Sequence, residues 1–503
     1  MSHLKKSRII VDRSAALPDK KHDSGAWIDR IGTLRGPRYL AIVACLEDAI
    51  RAGELQPETR LPPQRQLADM LGLTVGTAGR AYAIAAERGL ITGETGRGTF
   101  VSDNPFGGGG DAISSLRGAL SDVGRLRSKL PILPPERQVI DLALSAVPSP
   151  KIVAIIRDAL REVTADDRLL SFRKYVTYRA QPHHLQMAAR WIAGLGIEAD
   201  ADRIVAVASA NQGIAAAILS NIVRGESVLT DALTYPGLKV LAFNYGWRLE
   251  PLDRDDEGIL PDALERAALE GRGRIVYLQS ELHNPTTAVM PFDRRRLIAE
   301  IARRYDLVLI DDHAALSELT SSITSLTMLA PERTFAIIGT GKSIGAIVTA
   351  GYIVTPPGWR ERFEQQARDR YFHLSPMGAE IVSHLVKSGA MAEVAQAYRM
   401  GIASRRNLLR SHLPNADFAA DPRAFFVWLR LPSSWRSSDF ASAAALNGVT
   451  VAAALNFTVG MTMRMDAVRL SLLGSPSDAL FVDGLTRLRN LMAADTIGAD
   501  VIV

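Results

Sequence analysis

Apolar residues first recur at helical spacing between Pro37 and Ala52, where Leu40, Ile42, Val43, Leu46 and Ile50 form one stripe. A turn over Gly53–Arg60 and the run Leu61-Pro62-Pro63 separate this helix from a second over Gln64–Leu71. Gly72 closes the second helix, because glycine takes the positive φ of a helix C-terminus at little cost. Thr74 is the expected N-cap of a third helix reaching about Arg88, with Val75, Ala78, Ala81, Tyr82 and Ala85 on its inner face. Two short runs of β character follow, Leu90–Gly93 and Gly98–Val101, joined through Thr95-Gly96-Arg97. Helix, helix-turn-helix and β-hairpin in this order predict a winged helix-turn-helix over residues 26–103.

From Val139 onward the pattern changes to short apolar runs alternating with helices. The runs Ile204–Val207, Ser227–Leu229, Trp247–Pro251, Ile275–Gln279, Leu307–Ile310, Thr334–Ile338 and Ala350–Val354 read as strands. Gly213–Ile222, Pro261–Leu269 and Asp293–Tyr305 read as intervening helices. This alternation predicts an α/β domain over residues 139–503, built on a mostly parallel sheet covered on both faces. A long helix at Ala390–Leu413 and the runs Phe425–Leu431 and Ala467–Leu473 mark a smaller lobe, residues 390–503. Between the two patterned regions, residues 104–138 hold Gly107–Gly110 and the prolines 131, 134 and 135, with one short helix expected near Leu116–Leu130. A flexible linker of that length spans about 30–35 Å.

A chain of 503 residues exceeds one ordinary core, which agrees with several domains. The single cysteine, Cys45, excludes an intramolecular disulfide framework and a cysteine-rich zinc module, and fits a reducing compartment. No signal peptide is visible at the N-terminus. The most membrane-like stretch, Phe335–Val354, is broken by Gly339, Gly341, Lys342, Ser343 and Gly345, so a strand–loop–strand explains it better than a span. A cytoplasmic protein without membrane contact is expected. The net charge of +5 sits in the first 24 residues, with six basic against three acidic groups, and in the linker, with five against three. A basic flexible tail over residues 1–25 and a basic linker suit contact with a polyanion, although solubility alone also produces them.

Two sets of motifs carry chemistry. Arg60-Leu61-Pro62-Pro63-Gln64-Arg65-Gln66-Leu67-Ala68, Leu71-Gly72-Leu73-Thr74 and Gly96-Arg97-Gly98-Thr99-Phe100-Val101 resemble the winged-helix domain of GntR-type transcription regulators. The resemblance implies that Thr74 and Thr77 meet phosphates at the recognition-helix N-terminus, and that Arg65, Arg80, Arg97 and Thr99 face double-stranded operator DNA. Val75 and Gly76 depart from it, standing where many members carry an arginine and a second polar residue.

The last 360 residues or so resemble fold-type I aminotransferases that use pyridoxal 5′-phosphate (PLP), and the fusion resembles the MocR/GabR group of regulators. Lys342, in Ile338-Gly339-Thr340-Gly341-Lys342-Ser343, matches the Schiff-base lysine. A Walker A loop needs glycine where Ala336 stands, so Gly341-Lys342-Ser343 does not end a P-loop. Asp311, expected at the end of a buried strand, matches the partner of the pyridine nitrogen. Asn284 in His283-Asn284-Pro285-Thr286 matches the residue bonding the ring hydroxyl, and Tyr235 in Leu233-Thr234-Tyr235-Pro236-Gly237 the stacking aromatic. Ser209, Ala210, Asn211 and Gln212 open a helix suited to the phosphate, with Thr340 and Ser343 as further hydroxyls. Arg469 matches the arginine that clamps a substrate or effector carboxylate. Thr349 replaces the usual phosphate arginine, His313 a tyrosine beside the cofactor, Thr287 the glycine of Asn-Pro-Thr-Gly, and Gly341 the serine before the lysine. The resemblance implies a homodimeric, PLP-dependent regulator that senses an amino-acid-like compound without turning it over. The alternatives are an active aminotransferase with a DNA-binding head, and a regulator whose domain no longer binds PLP.

Overall fold

The computed structural model describes residues 27–30, 38–51, 53–87, 90–94, 98–102, 139–143, 149–165, 180–222, 226–314, 323–370, 372, 374–460 and 465–493. The basic tail, the linker with its expected short helix, and Arg97 lie outside them. The chain separates into two compact units, Met1–Ser115 and Leu116–Val503.

In the first unit a helix over Arg38–Arg51 precedes the pair Gln64–Leu71 and Val75–Glu87. Gly72 ends the first of that pair with φ +61°, and its N–H returns to the Asp69 carbonyl. The strands Ile91–Glu94 and Gly98–Val101 form the wing, and Arg60–Leu61 adds a third strand, with Leu61 opposite Thr99. Ile42, Leu46, Leu61, Leu67, Ala78, Ala81, Tyr82 and Val101 fill the core, with Cys45 buried among them. The Tyr82 hydroxyl donates to the Pro62 carbonyl at 2.7 Å, so the proline turn is fixed from inside the third helix. Val75 breaks the expected pattern. It is 47% exposed, because the first turn of its helix projects past the core that Ala78 and Ala81 reach.

The second unit is built on seven strands: β1 (Ile204–Val207), β2 (Ser227–Asp231), β3 (Arg248–Leu252), β4 (Ile275–Leu278), β5 (Val308–Asp312), β6 (Thr334–Gly339) and β7 (Gly351–Val354). Their order across the sheet is β1-β7-β6-β5-β4-β2-β3. β7 alone runs against the direction of the other six, antiparallel to both β6 and β1. Every residue of β4 and β6 is buried, as expected of strands covered on both faces. Ile214, Ile310, Phe335 and Phe363 pack on one face; Leu309, Ile298, Leu264 and Val276 pack on the other.

The smaller lobe holds a four-stranded sheet in the order Phe418–Ala419, Phe426–Arg430, Ala467–Ser471, Ala452–Ala453. The helices Ala390–His412, Ser437–Leu446 and Asp478–Ala493 accompany it. It also takes a strand from far upstream: Ile140–Asp141 pairs in parallel with Val449–Thr450. The lobe is therefore not confined to residues 390–503.

Candidate functional site

The parallel strands deliver their C-terminal ends to one edge of the sheet, where α/β folds place ligands. Past β1, Ser209 caps the helix Ala210–Leu219, its hydroxyl accepting from the Gln212 N–H at 3.3 Å. The Asn211 side chain lies near enough to the Tyr235 hydroxyl to favour its ionised form, a role that the motif does not reveal. Burial, and then the nearby charge of Asp312, push the Tyr235 hydroxyl above the usual phenol range. Tyr235 lies over Gly237: a Cβ on that glycine would stand 2.2 Å from the ring. Only glycine leaves the ring where it is.

The two adjacent aspartates of β5 divide between the faces of the sheet. Asp311 accepts from the Ser280 N–H at 3.1 Å and the Ser280 hydroxyl at 2.7 Å. His313 Nε2 lies 3.0 Å from the same carboxylate. Burial works against the Asp311 charge, but the facing His313 charge and these hydrogen bonds outweigh it and hold the carboxyl below its usual range. His313 is raised in turn: burial opposes its charge, and Asp311 and then Glu281 more than restore it. Asp312 points the other way. Tyr277 donates to it at 2.6 Å, Gln279 at 3.3 Å and the Ala314 N–H at 2.9 Å. Its charge, not that of Asp311, is felt at both Tyr235 and Lys342. Burial raises the Asp312 carboxyl against its hydrogen bonds. Asp311, expected beside the cofactor ring, thus sits with Ser280 and His313, and its neighbour faces the lysine. The strand runs two residues past Ile310, and alternation sends consecutive side chains to opposite faces.

Lys342 follows β6 in a turn closed by the Ser343 N–H on the Thr340 carbonyl. Burial first, and then the positive charge of Arg469, lower its amine to about 8. The Phe425 ring lies 5.7 Å from Nζ. Thr340 is buried and its hydroxyl is spent inside the loop, donating to Val348 O at 3.0 Å and accepting from Ala350 N at 2.8 Å. It builds the loop and has little left for a ligand. Ser343 is buried, while Thr349 is exposed.

Arg469 reaches the site from the smaller lobe. Its Nη1 donates to Asn284 Oδ1 at 2.7 Å and its Nη2 to the Ala143 carbonyl at 2.7 Å. Phe426 and Phe457 lie 5.5 and 5.1 Å from the guanidinium. Burial lowers Arg469 to about 10. Its Nε is shielded from solvent and has no hydrogen-bond acceptor among the described residues. Asn284 is held by Gln279 through its own N–H at 3.1 Å, and its side-chain nitrogen has no hydrogen-bond partner among the described residues. Tyr277, Gln279, Asp312, Gly237 and Phe425 belong to the site, although none of them was singled out in the sequence. The Asp311-Asp312 doublet was the one legible hint.

A second cluster lies elsewhere in this unit. His183 and His184 Nε2 stand 3.2 and 2.9 Å from Glu380 Oε1. The Gln181 N–H donates to His184 Nδ1 at 3.0 Å, so the proton of the neutral ring sits on Nε2 and points at the carboxylate. His184 is thus engaged as a hydrogen-bond donor, not as a metal ligand.

In the first unit Arg65 is exposed. Thr74 caps the recognition helix by accepting from the Thr77 N–H at 3.2 Å, and the two hydroxyls meet at 2.9 Å. Thr99 lies half-buried in the wing. The Arg80 side chain lies outside the described residues.

Comparison with known proteins agrees with this layout. The family "Aminotransferase class I and II" matches residues 137–479, and "Bacterial regulatory proteins, gntR family" matches residues 38–101. The uncharacterized HTH-type transcriptional regulator YdeF of Bacillus subtilis is 27% identical, over 93% of this chain and 97% of that one. The vitamin B6 salvage pathway transcriptional repressor PtsJ of Salmonella typhimurium is 27% identical, over 54% of this chain and 57% of that one. An archaeal alanine:glyoxylate aminotransferase superposes with a TM-score of 0.64 at 21% identity, covering 76% of this chain and 95% of that one. The Pyrococcus horikoshii kynurenine aminotransferase, solved with PMP, superposes with 0.63 at 20% identity, covering 75% and 94%. Structures this distant in sequence establish the fold. Among the described residues, no helix is long and apolar enough to cross a membrane. The chain belongs to the class I and II aminotransferase family, a fold that implies PLP, and carries a GntR-type helix-turn-helix ahead of that domain.

Proposed function

We propose that this protein is a DNA-binding transcription regulator whose aminotransferase-class domain holds PLP and senses an amino acid or a related amino compound. The observation that carries the reading is Arg469, a half-buried guanidinium whose shielded Nε has no partner among the described residues, close enough to Lys342 for its charge to lower that amine. Among the described residues no carboxylate pairs directly with this half-buried cation, and a carboxylate ligand would supply the bidentate partner that its planar fork suits.

The residues suit the cofactor. Lys342 would hold its aldehyde carbon, the turn from Ser209 through Ala210 and Asn211 to Gln212 its phosphate, and Tyr235 its ring face. The Asn284 amide nitrogen would meet the ring hydroxyl, and Asp312 the ring nitrogen. PLP, when bound, supplies an aldehyde that an incoming amine can take over from the lysine. Near pH 8 a large fraction of the Lys342 amine is neutral and nucleophilic. Arg469 then orients any amine that also bears a carboxylate. A relative named as a transcriptional regulator matches over 93% of this chain, which supports sensing over turnover. Two copies acting on paired half-sites, in the cytoplasm, complete the reading.

The test is made on the purified full-length protein. Adding PLP should produce a violet absorption band that Lys342→Ala loses, and the protein should bind a defined subset of a random duplex pool. A panel of amino acids should then shift both the band and the DNA affinity. A band unchanged in Lys342→Ala, or DNA binding indifferent to every amine tried, overturns the proposal.

A further inference from the structure

The reading of the first unit as a DNA-binding head leaves open what the recognition helix recognises. Its first residue, Val75, is 47% exposed, while Ala78, Ala81, Tyr82 and Ala85 supply the face that meets the core. The head's own packing therefore does not account for Val75. The turn that presents it is fixed, since the Thr74 hydroxyl accepts from the Thr77 N–H and pairs with the Thr77 hydroxyl at 2.9 Å. The next residue, Gly76, has no side chain to compete for space, and a Cβ added there would meet only the Thr74 hydroxyl, at 3.9 Å.

In helix-turn-helix proteins the N-terminal residues of the second helix meet base edges in the major groove. The edges of guanine, cytosine and adenine present donors and acceptors there, and only thymine presents a methyl group. Valine offers no hydrogen bond, so against a polar edge it strips water and returns nothing. Against the thymine methyl it removes apolar surface from water on both sides. We propose that Val75 is a specificity-determining residue that reads a thymine methyl in each half-site. This rests on the DNA-binding reading above.

The experiment uses full-length protein and a pool of random-sequence duplexes. After selection, the enriched duplex is compared with the same duplex carrying deoxyuridine, which lacks only the methyl group, at each thymine in turn. One thymine per half-site should prove sensitive, with uracil weakening wild-type binding about 3- to 5-fold, the value of one methyl-sized group removed from water. Val75→Ala should bind the two duplexes nearly alike, and Val75→Arg should move the preferred base at that position to guanine. Indifference to uracil at every thymine, or a Val75→Ala protein that discriminates as wild type does, overturns the inference while leaving DNA binding intact. Failure to enrich any sequence would remove the DNA-binding reading itself, and this inference with it.

Discussion

Asp311 and Asp312 are neighbours in one strand and serve opposite faces of the sheet: the first is held by Ser280 and His313, the second by Tyr277 and Gln279 on the side of Lys342. In the proposed function the division separates two tasks that one carboxylate would otherwise share, steadying the strand end and meeting the cofactor.

Asp312→Asn should weaken PLP binding by at least tenfold, since a charge-assisted hydrogen bond is worth about 1.5–3 kcal/mol. Asp311→Asn should leave PLP affinity within about threefold, yet destabilise the fold by about 3 kcal/mol through the stranded His313. Parallel PLP titrations and denaturant melts distinguish the two. The reverse pattern would return Asp311 to the cofactor.

His313 should make stability depend on pH. Its folded value is raised, so its contribution is complete below the unfolded value of about 6.5 and is lost as pH rises through the folded value. Asp311, lowered, contributes above about 3.9 and loses its part as pH falls. Glu281 and Arg295, themselves paired at 2.8 Å, also act on His313, the first raising it and the second lowering it. Melting temperature should fall from pH 6 to pH 9 in wild type and less steeply in His313→Phe. Equal slopes would sink the assignment.

Lys342 should react with an aldehyde at lower pH than an ordinary lysine. With its amine lowered to about 8, the rate of PLP uptake should rise to a plateau near pH 9. Lys239, also lowered to about 8 by burial, is the control, because it is engaged by the Leu455 and Asn456 carbonyls. Lys239→Met should keep the profile and Lys342→Ala should abolish it. Stopped-flow absorbance reads both.

Arg469→Met should cost stability no more than about 1 kcal/mol, because losing two hydrogen bonds is offset by removing a half-buried charge that no carboxylate pairs directly among the described residues. Carboxylate-bearing amines should lose about ten- to a hundredfold in affinity, while amines without a carboxylate change little. A uniform loss across both classes would mean that the arginine acts by positioning Asn284 alone.

Thr287 occupies φ +62°, a left-handed conformation that a β-branched residue rarely adopts. Thr287→Gly should stabilise the fold by about 0.5–1 kcal/mol, the relief of strain less the extra chain entropy of glycine. A lower melting temperature would show that the packing of this buried side chain outweighs its backbone strain.

The positions of the strands and helices follow from the sequence alone, because a two-residue or a 3.6-residue apolar period is a local property. All seven strands of the large sheet fall where apolar runs predict them, and Gly72 and Thr74 end and begin helices as their backbone and hydroxyl chemistry dictate. What local pattern does not carry is phase and partnership. That β5 continues through Asp312, and so turns Asp312 and not Asp311 toward Lys342, depends on pairing with β4 and β6. That Val75 faces outward depends on how far the core beneath its helix extends. Arg469 meets Asn284 across 185 residues of chain, and Thr340 spends its hydroxyl on a loop that only the antiparallel β7 brings back. A side chain's partners are chosen by elements distant in sequence, so their identity is decided only when the tertiary structure forms.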